Sequence, residues 1–113
     1  MAVAERFEEL QAAAQATNWR GRSGRLYALE LLPVDQFSLA DGKLYLLAAA
    51  HRVLWVGTLD EIVAEALARS QFRLALGAAD SAFRVAAPTN EIERMTLVWD
   101  LEGAEPATGL SLA

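Results

Sequence analysis

Val3, Phe7, Leu10 and Ala14 recur at steps of four, three and four, which puts them on one stripe of a helix with Glu8, Gln11 and Gln15 away from it. That helix is expected to stop near Thr17-Asn18, where short polar side chains compete for the backbone, and Asn18 to Gly24 reads as a loop. From Arg25 to Leu32 the pattern alternates as in a strand. Tyr27, Leu29 and Leu31 face one way, Leu26, Ala28 and Glu30 the other, and Pro33 ends the run. Asp41-Gly42 is a turn signal. Lys43 to Ala49 and Arg52 to Gly57 follow as two apolar runs separated by Ala50-His51, the signature of a hairpin.

Thr58-Leu59-Asp60-Glu61 has the form Thr-x-x-Glu, in which the threonine oxygen accepts the amide three residues on, so a helix is expected from Thr58. Its stripe is Ile62, Ala66 and Leu67, with Val63 adjacent. Phe72 to Val85 fits both periods; the spacing of Phe72, Leu76, Ala79 and Phe83 favours helix, against the cost of Gly77. After Pro88, Thr89 or Asn90 can cap a last helix in which Ile92, Met95 and Trp99 share a face. From Glu102 onward Gly103, Pro106 and Gly109 dominate, which predicts a flexible tail over 102–113.

These elements predict a single α+β domain over 1–101, with a small three-stranded antiparallel sheet (25–32, 43–49, 52–57) flanked by helices. Of 113 residues 54% are hydrophobic, enough for one core without a metal or disulfide. The chain has no cysteine, which removes thiol nucleophiles and Cys-based metal sites, and His51 is its one histidine. No apolar run reaches the ~18 residues a membrane span needs, and Glu5, Glu8 and Glu9 stand where a secretory signal would be basic. A cytoplasmic location without membrane contact is therefore expected.

Charge narrows the partners. The net charge of -5 has the wrong sign for a protein whose whole surface attracts a polyanion. The excess is uneven: residues 59 to 113 hold four basic and nine acidic side chains, whereas residues 1 to 58 hold six of each. Within the balanced half, Trp19-Arg20-Gly21-Arg22-Ser23-Gly24-Arg25 gathers three guanidinium groups, two glycines and an aromatic face. Loop amides and arginine forks suit phosphate oxygens, and a tryptophan can stack a base. The spacing matches no fixed phosphate loop, so Trp19, Arg20, Arg22 and Arg25 read as a protein-binding or structural cluster before a nucleic-acid one. Ser23, Ser38 and Ser70 could each serve His51 in a triad, yet no Gly-x-Ser-x-Gly elbow is present and a lone histidine at a hairpin tip suits a solvent-facing turn. Asp60, Glu61, Glu91 and Glu93 fall in first helical turns, where stabilising the helix dipole accounts for them.

Gly42-Lys43-Leu44-Tyr45, then Trp55-Val56-Gly57 and the capped helix, resemble the GIY-YIG nuclease domain over residues 41–70. The resemblance implies a hairpin beside a helix that bears an essential arginine, a glutamate further on that holds a magnesium or manganese ion, and cleavage of phosphodiester bonds. Tyr45 matches the tyrosine of the first motif and Gly57 the glycine of the second. Trp55 replaces the second tyrosine, and Glu65 stands where the arginine is expected, with Arg69 one turn later. The chemistry needs a hydroxyl near the nucleophile and a cation against developing phosphate charge. The expectation is accordingly a non-catalytic binding or protein-interaction module, a degenerate GIY-YIG-like domain with a protein partner and no cofactor. The alternative is a metal-dependent endonuclease using Tyr45, Arg69 and an acid such as Glu91 or Glu93. In a third reading, the acidic C-terminal half of a subunit meets a basic partner.

Overall fold

The computed structural model describes residues 16–107; the expected helix through Val3 to Ala14, and the part of the expected tail from 108 onward, lie outside them. The chain forms β1 (Ala16–Arg20), β2 (Leu26–Leu32), β3 (Lys43–Ala49), β4 (Arg52–Thr58), α1 (Leu59–Ala64), α2 (Ala66–Ala78), β5 (Ser81–Ala86), α3 (Glu91–Glu102) and β6 (Glu105–Pro106). The domain is α+β, but among the described residues its sheet has six strands rather than three. The order is β4-β3-β5-β2-β1-β6, every pairing is antiparallel, and the sheet curls into a half-barrel.

The local signals hold where chemistry is local. Ala50 takes a φ of 56° at the β3–β4 turn and donates its N–H to Asp80 Oδ2 at 2.7 Å, which offsets the cost of a left-handed alanine. Gly42, at a φ of 77°, makes the turn into β3. Thr58 Oγ1 accepts the Glu61 N–H, and Asn90 Oδ1 accepts the Glu93 N–H at 3.1 Å, so both helices start where their caps stand.

The additional strands come from pairing over long sequence distances. β1 occupies the expected end of the first helix and the first three residues of the expected Asn18–Gly24 loop, because it pairs along its whole length with β2. The ambiguous segment from Phe72 to Val85 is neither all helix nor all strand: α2 ends at Ala78, and β5 inserts between β2 and β3, bonded to both. The expected strand over 25–32 is thereby separated from the expected hairpin of 43–49 and 52–57. Residues 102–107, placed by the sequence in a tail, pack into the fold. Glu102 closes α3, β6 pairs with β1, Ala104 and Ala107 are buried, and the Ala107 N–H reaches the Asn18 carbonyl at 3.0 Å.

Alternation along the strands gives the sheet two apolar faces. On one, Trp19, Leu29, Leu44, Leu46, Val56 and Phe83 pack beneath Leu97, Val98 and Leu101 of α3; Trp19 meets Phe83 edge to face at 5.2 Å. On the other, Tyr45, Leu47, Trp55 and Ala82 pack under Ile62 of α1, Phe72, Ala75 and Leu76 of α2, and Val34, Phe37 and Leu39 of the β2–β3 connection. The expected stripe of Ile62, Ala66 and Leu67 is broken. At Glu65 the backbone leaves helical geometry (φ -124°, ψ 121°), the helix restarts in a new direction, and Val63 and Leu67 are left exposed. No helix among the described residues is long and apolar enough to cross a membrane.

Candidate functional site

A groove of about 630 Å³ opens beside β4, which among the described residues is an edge strand with β3 as its one neighbour. Leu54, Trp55 and Val56 of β4 form its floor, Leu67, Leu74 and Ala75 of α2 one wall, and Val98 of α3 the other. Leu54 is the extra residue of a β-bulge, since Leu47 pairs with Trp55 and Ala48 with Val53. The bulge twists the edge and turns an apolar side chain outward into the groove. Trp55 is held between two neighbours: Phe72 meets it edge to face at 5.0 Å, and its ring lies over Gly57, where an added Cβ would stand 2.5 Å from Trp55 Cζ2 and 3.1 Å from Glu61 Oε2. Gly57, singled out by the sequence as part of a catalytic motif, is required here by packing.

Three carboxylates rim this apolar surface: Glu61 from α1, Glu65 at the break between α1 and α2, and Glu102 at the end of α3. None of the described residues that line it is basic. Burial pushes the Glu61 carboxyl above its usual range, the negative charges of Glu65 and Glu102 add to the rise, and Arg94 and the Thr58 hydroxyl offset part of it. The groove thus holds negative charge that the described residues leave under-compensated.

The Trp19–Arg25 cluster is arranged differently. Trp19 is 2% exposed and belongs to the core, so it offers no face for a base, and its place in the expected binding set is corrected. Its neighbours form a tight turn in which the Gly21 N–H donates to the Arg25 carbonyl at 2.8 Å and Gly24 takes a φ of 89°. The turn is clamped on Asp100, a carboxylate of α3 that is 3% exposed. Asp100 accepts the Ser23 N–H and the Ser23 hydroxyl, each at 2.7 Å, and the Tyr27 hydroxyl at 2.5 Å. A side chain at position 21 would collide with this carboxylate. Burial alone would raise the Asp100 pKa; the bonds from Tyr27 and Ser23 outweigh it and hold the carboxyl below its ordinary value. Burial, with the same carboxylate beside it, drives the Tyr27 phenol upward. Of the three arginines, Arg22 lies over the Trp99 ring at 5.3 Å with its Nε donating to the Trp99 carbonyl at 2.9 Å, Arg25 is exposed, and Arg20 sits in β1 between β2 and β6.

The residues of the nuclease alternative do not converge. Tyr45 is fully buried, its hydroxyl accepting the Ala40 N–H at 2.7 Å and donating to the Ser38 carbonyl. Arg69 donates Nη1 to the Ile62 carbonyl at 3.0 Å and to that of Val63, closing the exposed end of α1. Glu91 and Glu93 stand in the first turn of α3. No group of three or more acidic or histidine side chains among the described residues could hold a metal ion. His51 sits exposed in the hairpin turn, as its position in the sequence suggested.

Two features escaped the sequence. Asp100 gives no local sign of burial, because its partners lie 73 and 77 residues away. Glu61 and Glu65 did carry a sign: like charges at i,i+4 are unfavourable on a helix, and no base stands between them to relieve the pair. Comparison of the chain with protein-family models, with curated proteins and with solved structures gave no match.

Proposed function

We propose that this protein is a non-catalytic interaction module whose groove beside β4 takes a basic, amphipathic segment of a protein partner. The observation that carries the reading is the composition of the groove: an apolar lining of Leu54, Trp55, Leu67 and Leu74 under three carboxylates, with no base among the described lining residues. A segment with leucines on one side and lysines or arginines on the other covers the floor and neutralises the rim. Apolar burial supplies affinity, and the charges supply orientation and selection against acidic segments. The net charge of -5 also repels nucleic acid.

Calorimetric titration of the full chain with a leucine- and arginine-rich amphipathic peptide, and with its glutamate-substituted counterpart, tests the proposal. Binding of the basic peptide alone is expected, weakening as salt rises. The combined change of Glu61, Glu65 and Glu102 to glutamine should weaken it tenfold or more while leaving the melting temperature within a few degrees. Equal binding of both peptides, or an unaffected triple variant, would overturn the reading.

A further inference from the structure

The second apolar surface lies on α3, independently of the groove. Ile92, Met95 and Trp99 share a face as their spacing predicts, yet that face is turned away from the sheet and the three are 75%, 62% and 53% exposed. Together with Thr96 they line one apolar patch. Helix residues this large and this exposed on consecutive turns mark a contact surface rather than scattered surface hydrophobics.

The charges around the patch are self-complementary. Asp100 and Glu93 are seven residues, two turns, apart, so they lie on one flank of α3. The turn clamped on Asp100 places Arg22 at the C-terminal end of that flank, its N–H bonded to the Asp100 carbonyl at 3.1 Å and its guanidinium held over Trp99. Nε is satisfied by the Trp99 carbonyl, and the two Nη groups make no hydrogen bond among the described residues. Glu93, exposed at the N-terminal end of the same flank, makes no ion pair among the described residues. One flank therefore carries Arg22 at one end and Glu93 at the other, and Arg25, exposed in the same clamped turn, borders the surface between them.

We infer that the partner of this face is a second copy of the chain, with the two α3 helices packed antiparallel about a two-fold axis. The axis lies across the helices, perpendicular to the direction in which the faces meet. Rotation about it reverses the helix direction and keeps the Arg22–Glu93 flank on the same side. Centred between Met95 and Thr96, the operation sets Trp99 against Ile92 of the partner subunit and Arg22 beside Glu93 of the partner subunit, twice over. Such a contact is isologous, buries the patch of each copy on the other, and aligns the helix dipoles favourably. A helix of 12 residues spans about 18 Å, so the contact is at the small end of specific interfaces and the dimer should form reversibly with concentration.

Sedimentation equilibrium on the full chain should show a monomer–dimer equilibrium. Arg22→Glu and Glu93→Arg should each weaken it tenfold or more, since each sets like charges together at both ends. An equimolar mixture of the two should restore association near the original strength, because the heterodimer regains opposite charges at both ends. Should Arg22→Glu disturb the clamped turn, Ile92→Glu, at a side chain with little contact in the monomer, is expected to abolish the dimer with an unchanged melt. A chain that stays monomeric to its solubility limit, single variants that associate as the parent does, or a mixture that fails to recover would overturn the inference. None of these results depends on the groove or on a basic peptide.

Discussion

The clamped turn at Asp100 and the groove at Glu61 both place carboxylates against apolar surface, and they treat the charge in opposite ways. Asp100 is deeply buried and receives three hydrogen bonds, so its negative charge is fully used inside the molecule. Glu61 is less buried, shares its groove with Glu65 and Glu102, and is pushed toward the protonated form. Satisfied charge marks a structural device, and under-compensated charge marks a surface with work left to do. By that criterion the arginine-rich loop, which looks like a binding site in the sequence, is largely architecture, and even Arg22 is held by Trp99 through its Nε, with only its Nη groups left without a hydrogen bond among the described residues. The groove, whose acids look like ordinary helix-start residues, is the better candidate.

Breaking the clamp should give the largest effect. Asp100→Ala strands the Ser23 N–H, the Ser23 hydroxyl and the Tyr27 hydroxyl; at ~1 kcal/mol or more for each orphaned donor the loss is about 3 kcal/mol. For a domain of this size a thermal melt should fall by roughly 12–24 °C. A drop of only a few degrees would mean that water reaches the site and that the clamp contributes little. Gly57→Ala should come next, at about 1–3 kcal/mol, because the new methyl displaces the Trp55 ring from the groove floor. The indole emission should shift with it, and affinity for a basic peptide should fall.

Acid separates the two regions by sign. The Asp100 pKa is depressed in the folded state, so its contribution is complete above the ordinary carboxylate range and is lost as pH falls through the folded value. The Glu61 pKa is raised, so its unfavourable contribution is complete above the folded value and is relieved as pH falls toward the ordinary one. Denaturant titrations between pH 3 and 7 of Asp100→Asn and Glu61→Gln should therefore diverge. The first variant flattens the acid-side loss of stability. The second removes a gain that the parent chain shows on mild acidification. Parallel pH profiles for the two would erase the distinction between them. The smallest expected effect is on stability at neutral pH: Glu61→Gln should stabilise by a few tenths of a kcal/mol, the scale of like-charge relief on a helix surface. A destabilisation would show that the Glu61 carboxylate is bonded rather than repelled.

What the sequence determined by itself was whatever depends on neighbours a few residues apart. The Asp41-Gly42 and Ala50-His51 turns, the strand face through Tyr27 and Leu29, and the caps at Thr58 and Asn90 need only local geometry, and each stands where its residues put it, whereas Leu31 is left exposed. Tertiary structure decided the rest. A strand of Ala, Thr, Asn, Trp and Arg has little intrinsic preference, and β1 exists because β2 and β6 complete its hydrogen bonds from either side. Helical spacing could not find β5, since its placement is set by two partners that are distant in the chain. In α3, apolar residues occur on two sides, and the period alone cannot say which side packs. Leu97, Val98 and Leu101 met the sheet, leaving Ile92, Met95 and Trp99 outside. The candidate sites follow the same rule. The i,i+4 spacing of Glu61 and Glu65 hints at their repulsion, but Asp100 is satisfied by donors that the fold brings within 3 Å of it from 73 and 77 residues away, and that is a property of three dimensions which no spacing along the chain encodes.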